Sequence, residues 1–427
     1  MATTQNAIYD ARQLGRPHML MLGVQHLFAM FGATILVPLL TGLDVSMTLL
    51  FAGLGTLIFH FVTKWQVPAF LGSSFAFIGG YATVKEMGVA QGMTETLALD
   101  YACLGVVCAG LIYFLMSAVI KVYGLQKVLK FFPPVVTGPI VIAIGLSLSG
   151  TAITSCQTDW LIALIAIITV IVSAIWGRGM MRIMPVLLGV IVSYAAAALM
   201  GDIDFTKLIE APWIGMPLSA DRTVLAALSD GNSVFMLSTI MAVMPIAFAT
   251  IIEHVGDMSA ISSTVGKDYL AAPGLHRTLL GDGVATVVAS LFGAAANTTY
   301  GENTGVLNLT RVFDPRVVRL AAIFAIILAF CPKFACLIQL MPQATMGGVS
   351  MILYGMISAV GVRNLVEEKV DLKSSRNVFV LALVLVLSIG IKYGAGDSIA
   401  IGPIHLSGIA TAALAGIILN ATLPKDK

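Results

Sequence analysis

One polar stretch in the second half of the chain interrupts apolar sequence on both sides, and it reads NTTYGENTG over residues 297–305. It carries a carboxylate, Glu302, directly after a glycine. A second carboxylate, Glu253, lies in the apolar stretch FATIIEHVGD over residues 248–257. A charge at membrane depth costs about 2.5–3.5 kcal/mol or more, so such groups face a water-filled cavity or a partner and mark an ion or substrate pathway.

Composition assigns the chain to the polytopic helical membrane proteins. Its 427 residues are 58% hydrophobic and 11% charged, with a mean hydropathy of +0.95, whereas soluble domains carry about 25% charged residues. Apolar runs of roughly 17–25 residues, the length that crosses the hydrocarbon core, recur along the sequence. The polar start predicts no cleavable signal peptide, and a net charge of +2 argues against a nucleic-acid partner. The five cysteines have neither metal-ligand nor disulfide spacing.

Fourteen transmembrane segments are predicted, and the third and tenth are short and rich in Gly, Ser, Thr and Asn. Their approximate bounds are 18–40, 44–63, 68–84, 97–121, 126–150, 158–177, 181–200, 235–260, 276–293, 297–310, 315–331, 335–360, 376–394 and 399–423. With both termini in the cytoplasm, only five of the 24 Lys and Arg residues fall outside: Lys85, Lys207, Arg222, Lys333 and Lys392. The other 19 are inside, as the positive-inside rule requires.

The two halves of the chain echo one another. Seven segments on either side of the long 201–234 loop would place the halves in opposite orientations, and short blocks recur in the same order. One pair is SSFA at 73–76 and TTYG at 298–301. Inverted repeats with interrupted segments at matching positions indicate a secondary transporter site. We expect the two interrupted segments to cross as facing strands, each running into a half-helix whose N-terminus points at the centre.

Small residues and prolines also recur in segments 5 and 12. They are expected where two domains slide past each other, because small residues allow close approach of helices. The positions are Pro134, Gly138, Pro342, Gly347 and Gly348.

The tenth segment carries the pattern ENTGVLNLTR over residues 302–311: an acid, Asn, any residue, Gly, four residues, Thr and Arg. This pattern resembles the signature of the nucleobase–ascorbate transporter family. The blocks QHLFAMFGA at 25–33, GSSFAF at 72–77, EHVG at 253–256 and PGLHR at 273–277 are similar to those of its bacterial branch that carries uracil. The resemblance extends from about residue 18 to residue 423.

The resemblance implies an all-α fold of seven plus seven segments in an inverted repeat, with a core and a gate domain. The N-terminal tail would be 1–17, the core domain 18–121 and 235–331, the gate domain 122–200 and 332–423, and the extracellular linker 201–234. It also implies import of uracil by proton symport across the bacterial cytoplasmic membrane. It further implies a lipid bilayer around a homodimer formed through the gate domain, with the proton as coupling ion and no other cofactor or metal.

The family's site residues carry over to this sequence. Glu253 and Glu302 would contact substrate and link it to protons, while Phe75 and Gly301 would supply backbone contacts. Ala33 and Tyr300 would line the pocket. Relatives of the uracil branch have His four residues after the first acid, and here that residue is Asp257. Asp257 would therefore join a carboxylate pair, or His254 or His26 would take over the proton relay.

Two further interpretations stay open. Within the family, xanthine or another purine is the alternative substrate, because pocket volume is not readable from one chain. An anion carrier of related fold is the other alternative, although two acids in the pocket would partly cancel the positive ends of the half-helices. An enzyme is disfavoured because the chain lacks an acid-rich metal motif, a His-x-x-x-His pair and a Gly-x-Ser-x-Gly elbow.

Overall fold

The computed structural model describes residues 7–124, 133–218, 222–396, 398–401 and 404–424. Four lysines counted in the charge distribution, Lys127, Lys130, Lys425 and Lys427, lie outside these described residues. The described chain is mostly helical. Its helices are α1 (Arg16–Thr41), α2 (Val45–Val62), α3 (Ile78–Ala90), α4 (Glu95–Tyr123), α5 (Pro134–Ser147), α6 (Ser149–Cys156), α7 (Trp160–Trp176), α8 (Met180–Ile183), α9 (Pro185–Met200), α10 (Thr206–Glu210), α11 (Val224–Asp230), α12 (Ser233–Val243), α13 (Ile246–Val265), α14 (Leu275–Leu291), α15 (Gly301–Thr310), α16 (Pro315–Ala329), α17 (Pro332–Gln339), α18 (Gln343–Glu367), α19 (Ser375–Gly394) and α20 (Gly408–Thr422).

Four short strands complete the described secondary structure: β1 (Leu71–Ser73), β2 (Asn297–Thr299), β3 (Ser398–Ile401) and β4 (Ile404–Ser407). Two 3₁₀ turns cover Ala11–Leu14 and Phe75–Phe77, and a π-helical turn covers Leu270–Gly274. The pairs β1–β2 and β3–β4 are both antiparallel.

Long apolar helices identify a multi-pass membrane protein. Within the described ranges, seven helices or continuous helix pairs are long and apolar enough to cross a membrane, and α16 with α17, bent by 86°, is an eighth candidate. Three shorter apolar helices are α7, α9 and α20. The predicted segments 3 and 10 contain only the short helices α3 and α15, which follow strands. The complete set of fourteen crossings therefore stays a prediction.

Two predicted segments differ from the structure in their course. Segment 14, predicted over 399–423, is helical only from Gly408, because β3 and β4 occupy the residues before it. Segment 12, predicted over 335–360, is broken between α17 and α18, where Pro342 precedes the first residue of α18. Proline lacks a backbone N–H and disfavours helical geometry in the residue before it, so a helix readily ends there.

The two interrupted segments cross as facing strands, which confirms that expectation. Leu71 pairs with Thr299 and Ser73 with Asn297. Beyond the strands, β1 leads through a 3₁₀ turn into α3, and β2 leads directly into α15. Because the strands are antiparallel, the two short helices leave the crossing in opposite directions with both N-termini beside it.

Side chains from neighbouring helices satisfy the backbone of this crossing. The Leu71 N–H donates to Thr56 Oγ1 over 2.9 Å, and Thr286 Oγ1 donates to the Asn297 carbonyl over 2.9 Å. The Asn297 amide donates to the Phe51 carbonyl over 3.1 Å. Irregular backbone at membrane depth requires such partners or a cavity, so α2 and α14 hold the crossing in place.

The helices pack into two groups. In the first, α4 packs on α14, α2 on α14 and α16, and α1 on α16. In the second, α18 packs on α5, α6 and α7, while α19 packs on α5 and α20. Contacts between the groups are fewer and include α12 with β4, α1 with α9 and α13 with α5. The strand crossing belongs to the first group.

Candidate substrate site at the strand crossing

The two carboxylates singled out from the sequence meet beside the strand crossing. Glu253 lies in the first half of α13, and Glu302 lies in the first turn of α15. They are close enough for their charges to interact, and Glu253 also interacts electrostatically with Asp282 on α14. Glu253 is exposed and Glu302 is partly buried. Two acids that share an accessible space inside a helix bundle form a site for hydrogen-bond donors and protons.

The N-terminus of α15 presents backbone donors at the same place. Tyr300 precedes the helix without a side-chain capping bond, and the Glu302 carboxylate accepts from its own backbone N–H. A side chain placed at Gly301 would meet nothing within 4 Å, which means that open space lies against this turn. Uncapped N–H groups and the helix dipole attract acceptors. Phe75 is partly buried and packs between the two main apolar clusters.

The Asp257 side chain is hydrogen-bonded to the strand crossing. Its Oδ2 accepts a hydrogen bond of 2.7 Å from Thr299 Oγ1, at the end of β2. Thr299 in turn pairs with Leu71 of β1. The charge of Asp257 interacts with those of Glu253 and Glu302. The Asp257 carboxylate therefore links α13, the helix that carries Glu253, to the strands.

The Tyr300 ring is held on the opposite side of the strand pair, against α1. Its hydroxyl donates to the Ser73 carbonyl over 2.8 Å and accepts from Thr34 Oγ1 over 3.2 Å. Ser73 Oγ donates to the Thr34 carbonyl over 2.9 Å and reaches the Ala33 carbonyl at 3.3 Å. Tyr300 is 4% exposed and Ala33 3%. These residues form the wall behind the crossing, with little surface open to the cavity.

His254 points away from the cavity into a buried polar pocket with Asp282. His254 Nδ1 and Asp282 Oδ2 are 3.0 Å apart and both side chains are fully buried, although the two atoms are not aligned as a hydrogen bond. The hydroxyl of Tyr113 also lies near Asp282. The sequence interpretation missed Asp282, even though an acid inside the apolar segment 276–293 was a sufficient signal.

His26 is placed in helix packing. It is fully buried, and the Asn303 amide lies 3.1 Å from its Nδ1 and donates to its carbonyl over 3.0 Å. This pair joins α1 to α15. Within the described ranges, no group of three His, Cys, Asp or Glu residues is arranged to hold a metal ion.

The site is accessible from one end of the molecule. A stripe of exposed residues runs along α13 at helical spacing from the carboxylate to the C-terminal end: Glu253, Gly256, Ala260 and Ser263. In the other direction Ile246 and Ile251 are 1% and 5% exposed. Water therefore reaches Glu253 from the C-terminal end of α13, and packed side chains close the path toward α12.

Comparisons with known proteins identify the family and the fold of this chain. The sequence model of the permease family matches residues 17–395. The uracil permease of Bacillus caldolyticus is 40% identical over 412 residues, covering 94% of this chain and 91% of that protein. The uracil permease of Escherichia coli K12 is 37% identical over 411 residues, covering 93% and 90%. The transmembrane domain of the cyanobacterial bicarbonate transporter BicA superposes with a TM-score of 0.65 at 16% identity, over 96% of this chain and 99% of that one. The chain thus has the fold of that membrane domain.

Proposed function

The chain belongs to the permease family, and we propose that it is a secondary transporter that imports uracil in symport with protons. One observation carries the proposal: two interacting carboxylates, Glu253 and Glu302, share an accessible space with the uncapped N-terminus of α15. The names of the relatives supply the substrate. A permease moves its substrate and leaves it chemically unchanged, so the protein is a transporter and no enzyme.

Uracil complements this site chemically, because a flat ring with two N–H donors and two carbonyl acceptors needs both kinds of partner. Glu253 accepts from the ring N–H groups. Backbone N–H groups near Phe75 and Gly301 meet the carbonyl oxygens, and the Phe75 ring packs on the face of the substrate. Ala33 and Tyr300 close the space from behind, where the bond from the Tyr300 hydroxyl to Ser73 fixes the ring.

The two helix groups become the two moving parts of the carrier in this proposal. The core domain comprises 18–121 and 235–331, and the gate domain comprises 122–200 and 332–423, in a seven-plus-seven inverted repeat joined by the 201–234 linker. The carrier resides in the bacterial cytoplasmic membrane as a homodimer through the gate domain, with both termini in the cytoplasm. In this orientation the accessible stripe on α13 makes the conformation inward-open.

Proton coupling is proposed to run through the acids around the crossing. Burial disfavours the charged form of a carboxyl group, and a second acid nearby disfavours it further. Glu302 as a protonated acid donates a hydrogen bond that orders the site for uracil, and its deprotonation toward the cytoplasm releases the substrate. Asp257 and His254 lie on α13, the helix that carries Glu253, and Asp282 of α14 lies beside His254. These three residues form the remaining members of the proposed relay.

Reconstituted vesicles test this function directly. The expected result is uptake of labelled uracil that rises several-fold when an inward proton gradient is imposed, with little uptake of xanthine, sulfate or bicarbonate. The last two anions are included because BicA, whose fold this chain shares, is a bicarbonate transporter. Gradient-independent anion uptake without uracil uptake would refute the proposal, and uptake of xanthine in place of uracil would reassign the substrate.

Binding by Glu253 is tested without transport. Removal of an acceptor leaves a buried polar group of the ligand unpaired, which costs about 1–3 kcal/mol. We therefore expect Glu253→Ala to weaken uracil binding at least about tenfold in calorimetry. Glu253→Gln should weaken uracil binding less than Glu253→Ala, because the amide carbonyl oxygen still accepts a hydrogen bond from the ring. Wild-type affinity in Glu253→Ala would show that this carboxylate does not contact the ring.

A further inference from the structure

A second polar cavity lies away from the strand crossing, near the C-terminal ends of α2 and α13 and the start of α16. Its volume is about 600 Å³. The N-terminal segment closes one side, where the Tyr9 hydroxyl donates to the Val265 carbonyl over 2.7 Å and the Ile8 N–H donates to the Arg311 carbonyl over 2.9 Å. The loop after α2 and the loop after α13 form the other walls.

The two acids of this cavity are already engaged. Asp268 Oδ1 accepts the Leu270 N–H over 3.0 Å. Asp314 Oδ2 accepts the Ala11 N–H over 2.8 Å and lies 3.1 Å from Arg316 Nη1. Asp314 is therefore paired with Arg316, whereas Asp268 accepts from the backbone of its own loop.

Three cations line the cavity: Lys267, Arg316 and Arg319. Arg316 forms ion pairs with two carboxylates. Besides Asp314, it contacts Asp10 Oδ1 at 3.0 Å. Hydrogen bonding from Arg12 lowers the pKa of Asp10 to about 2, so this carboxylate stays charged at any physiological pH. Arg316 thus has two counter-ions, so the cations that remain for a ligand are the other two.

Those cations, Arg319 and Lys267, have aromatic partners but no carboxylate at ion-pair distance among the described residues. The Arg319 guanidinium carbon lies 5.1 Å from the centroid of the Trp65 ring, and Lys267 Nζ lies 4.8 Å from that of Tyr9. Arg319 Nη1 is buried and has no hydrogen-bond partner. An unpaired buried donor is unfavourable and calls for a missing partner.

The aromatic partner of Arg319 is held by a strained backbone. Lys64 and Trp65 both have positive φ, 58° and 61°, a conformation that is unfavourable for residues other than glycine. The Trp65 N–H donates to the His60 carbonyl over 2.6 Å, which fixes this turn. Strain of this kind persists at ligand clamps, where the surrounding structure compensates for it.

We propose that this cavity binds the phosphate group of an anionic membrane lipid, with Arg319 and Lys267 as its ligands. A guanidinium fork stacked on an aromatic ring keeps its N–H edge free for two bonds to a phosphate. Trp65 and Tyr9 are about half exposed, at 48% and 46%, and such rings favour the membrane interface. Basic pockets at the end of a membrane protein that is rich in Lys and Arg bind anionic headgroups. The bound lipid would tie the end of α13 to α16.

Lipid titration of the purified full chain tests this site. We expect dioleoylphosphatidylglycerol to raise the melting temperature and to appear bound in native mass spectra, while dioleoylphosphatidylcholine does neither. Arg319→Gln and Lys267→Gln should each weaken the anionic lipid about tenfold. Arg319→Lys should retain part of the effect. Lys373→Gln, an exposed lysine outside the cavity, is the matched control and should behave like wild type.

Three outcomes decide against the proposal. If Arg319→Gln and Lys267→Gln keep the wild-type response to phosphatidylglycerol, the cavity is not its site. If inorganic phosphate raises the melting temperature equally and both variants lose that response, the ligand is a soluble anion. If both lipids stabilise all variants alike, the effect is nonspecific solvation. Monodisperse elution and wild-type uracil binding show that a variant is folded. If Arg319→Gln is not folded, the result with Lys267→Gln decides the test.

Discussion

At the scale of single residues, the site depends on carboxylates whose surroundings differ. Glu253 is exposed to the cavity, and Glu302 is partly buried in the first turn of α15, where the helix dipole favours a negative charge. Asp257 is hydrogen-bonded to Thr299. A group that carries the transported proton must change its contacts between the two states of the carrier. Glu302 fits this role best because it sits at the N-terminus that we propose as part of the substrate site.

Glu302→Gln mimics the protonated acid permanently. The variant should bind uracil and exchange it across vesicles at near wild-type rates, because the amide still donates a hydrogen bond. It should fail to accumulate uracil on an imposed proton gradient, which radiolabel uptake measures. Glu210→Gln, at an exposed acid in the 201–234 linker, should accumulate normally. Gradient-driven accumulation by Glu302→Gln at the wild-type level would shift the role to Glu253, Asp257 or His254.

At the scale of secondary structure, the strand pair allows two half-helices to point at one site. Its close approach to α1 depends on Gly72, since a Cβ there would overlap the ring of Tyr300 and the hydroxyl of Thr34. The same ring is bonded to Ser73 and Thr34. A side chain at this position would therefore strain the wall that Tyr300 and Thr34 form behind the crossing.

Gly72→Ala should lower the free energy of unfolding by about 1–3 kcal/mol, the usual cost of overpacking a core. Uracil binding should weaken with it, because the displaced Tyr300 directly precedes Gly301. Thermal unfolding and calorimetry measure the two effects. Gly390→Ala in α19, where a Cβ meets nothing within 4 Å, is the control and should be neutral. An unchanged melting temperature in Gly72→Ala would mean that the wall is loosely packed.

The small residues of segments 5 and 12 turn out to pack inside one helix group. They were expected at a sliding surface between two domains, but a Cβ at Gly138 would meet Leu365 and Gly361 of α18, and one at Gly348 would meet Ala163 and Ala166 of α7. The reason is the direct packing of α18 on α5 and α7. These glycines therefore hold the second helix group together.

Gly138→Leu should accordingly reduce stability, substrate binding and transport together, and transport should not slow by itself. The melting temperature and uracil affinity of the purified variant distinguish the two cases. Gly355→Leu, on α18 itself but with nothing within 4 Å of its Cβ, should leave both quantities unchanged. Slow transport by Gly138→Leu at normal stability and affinity would restore the sliding interpretation.

At the scale of the whole molecule, the two helix groups meet where the path to Glu253 is closed. Lys392 of α19 lies 3.7 Å from Glu86 of α3, which joins the second group to the first. Nearby, Ser407 Oγ reaches the Ala242 carbonyl at 3.5 Å. In the proposed mechanism these contacts would separate when the carrier opens at this end. Because Glu86 is largely exposed, we expect the ion pair to contribute at most about 1 kcal/mol.

Reversing either charge should therefore favour opening by up to about fivefold. Glu86→Lys and Lys392→Glu should each speed the labelling of Ser147→Cys by an impermeant maleimide, in a background without the five native cysteines. Ser147 is 4% exposed and lies on the closed side. The double variant, which carries both Glu86→Lys and Lys392→Glu, should return the labelling rate toward that of Ser147→Cys alone in the same background. Single and double variants with the same rate would show that the pair does not restrain opening.

The membrane class, the interruption of segments 3 and 10 and the importance of Glu253 and Glu302 could be predicted from the sequence alone. These features are local: hydropathy over about 20 residues, turn-forming residues and an acid in apolar surroundings are all readable along the chain. Asp282 carried the same local signal and was overlooked. Its partner was not predictable, because nothing in the sequence states which face of α14 meets His254.

The contacts between distant parts of the chain could not be predicted and became known from the folded structure. Tyr300 is bonded to Thr34 and Ser73, more than 200 residues earlier in the sequence, and the end of the molecule that is open to water depends on how the two helix groups lie against each other. The hairpin of β3 and β4 likewise replaced the start of a predicted helix. The physical reason is that burial and hydrogen bonding at these positions come from neighbours supplied by the fold, whereas periodicity and composition report only on each segment alone.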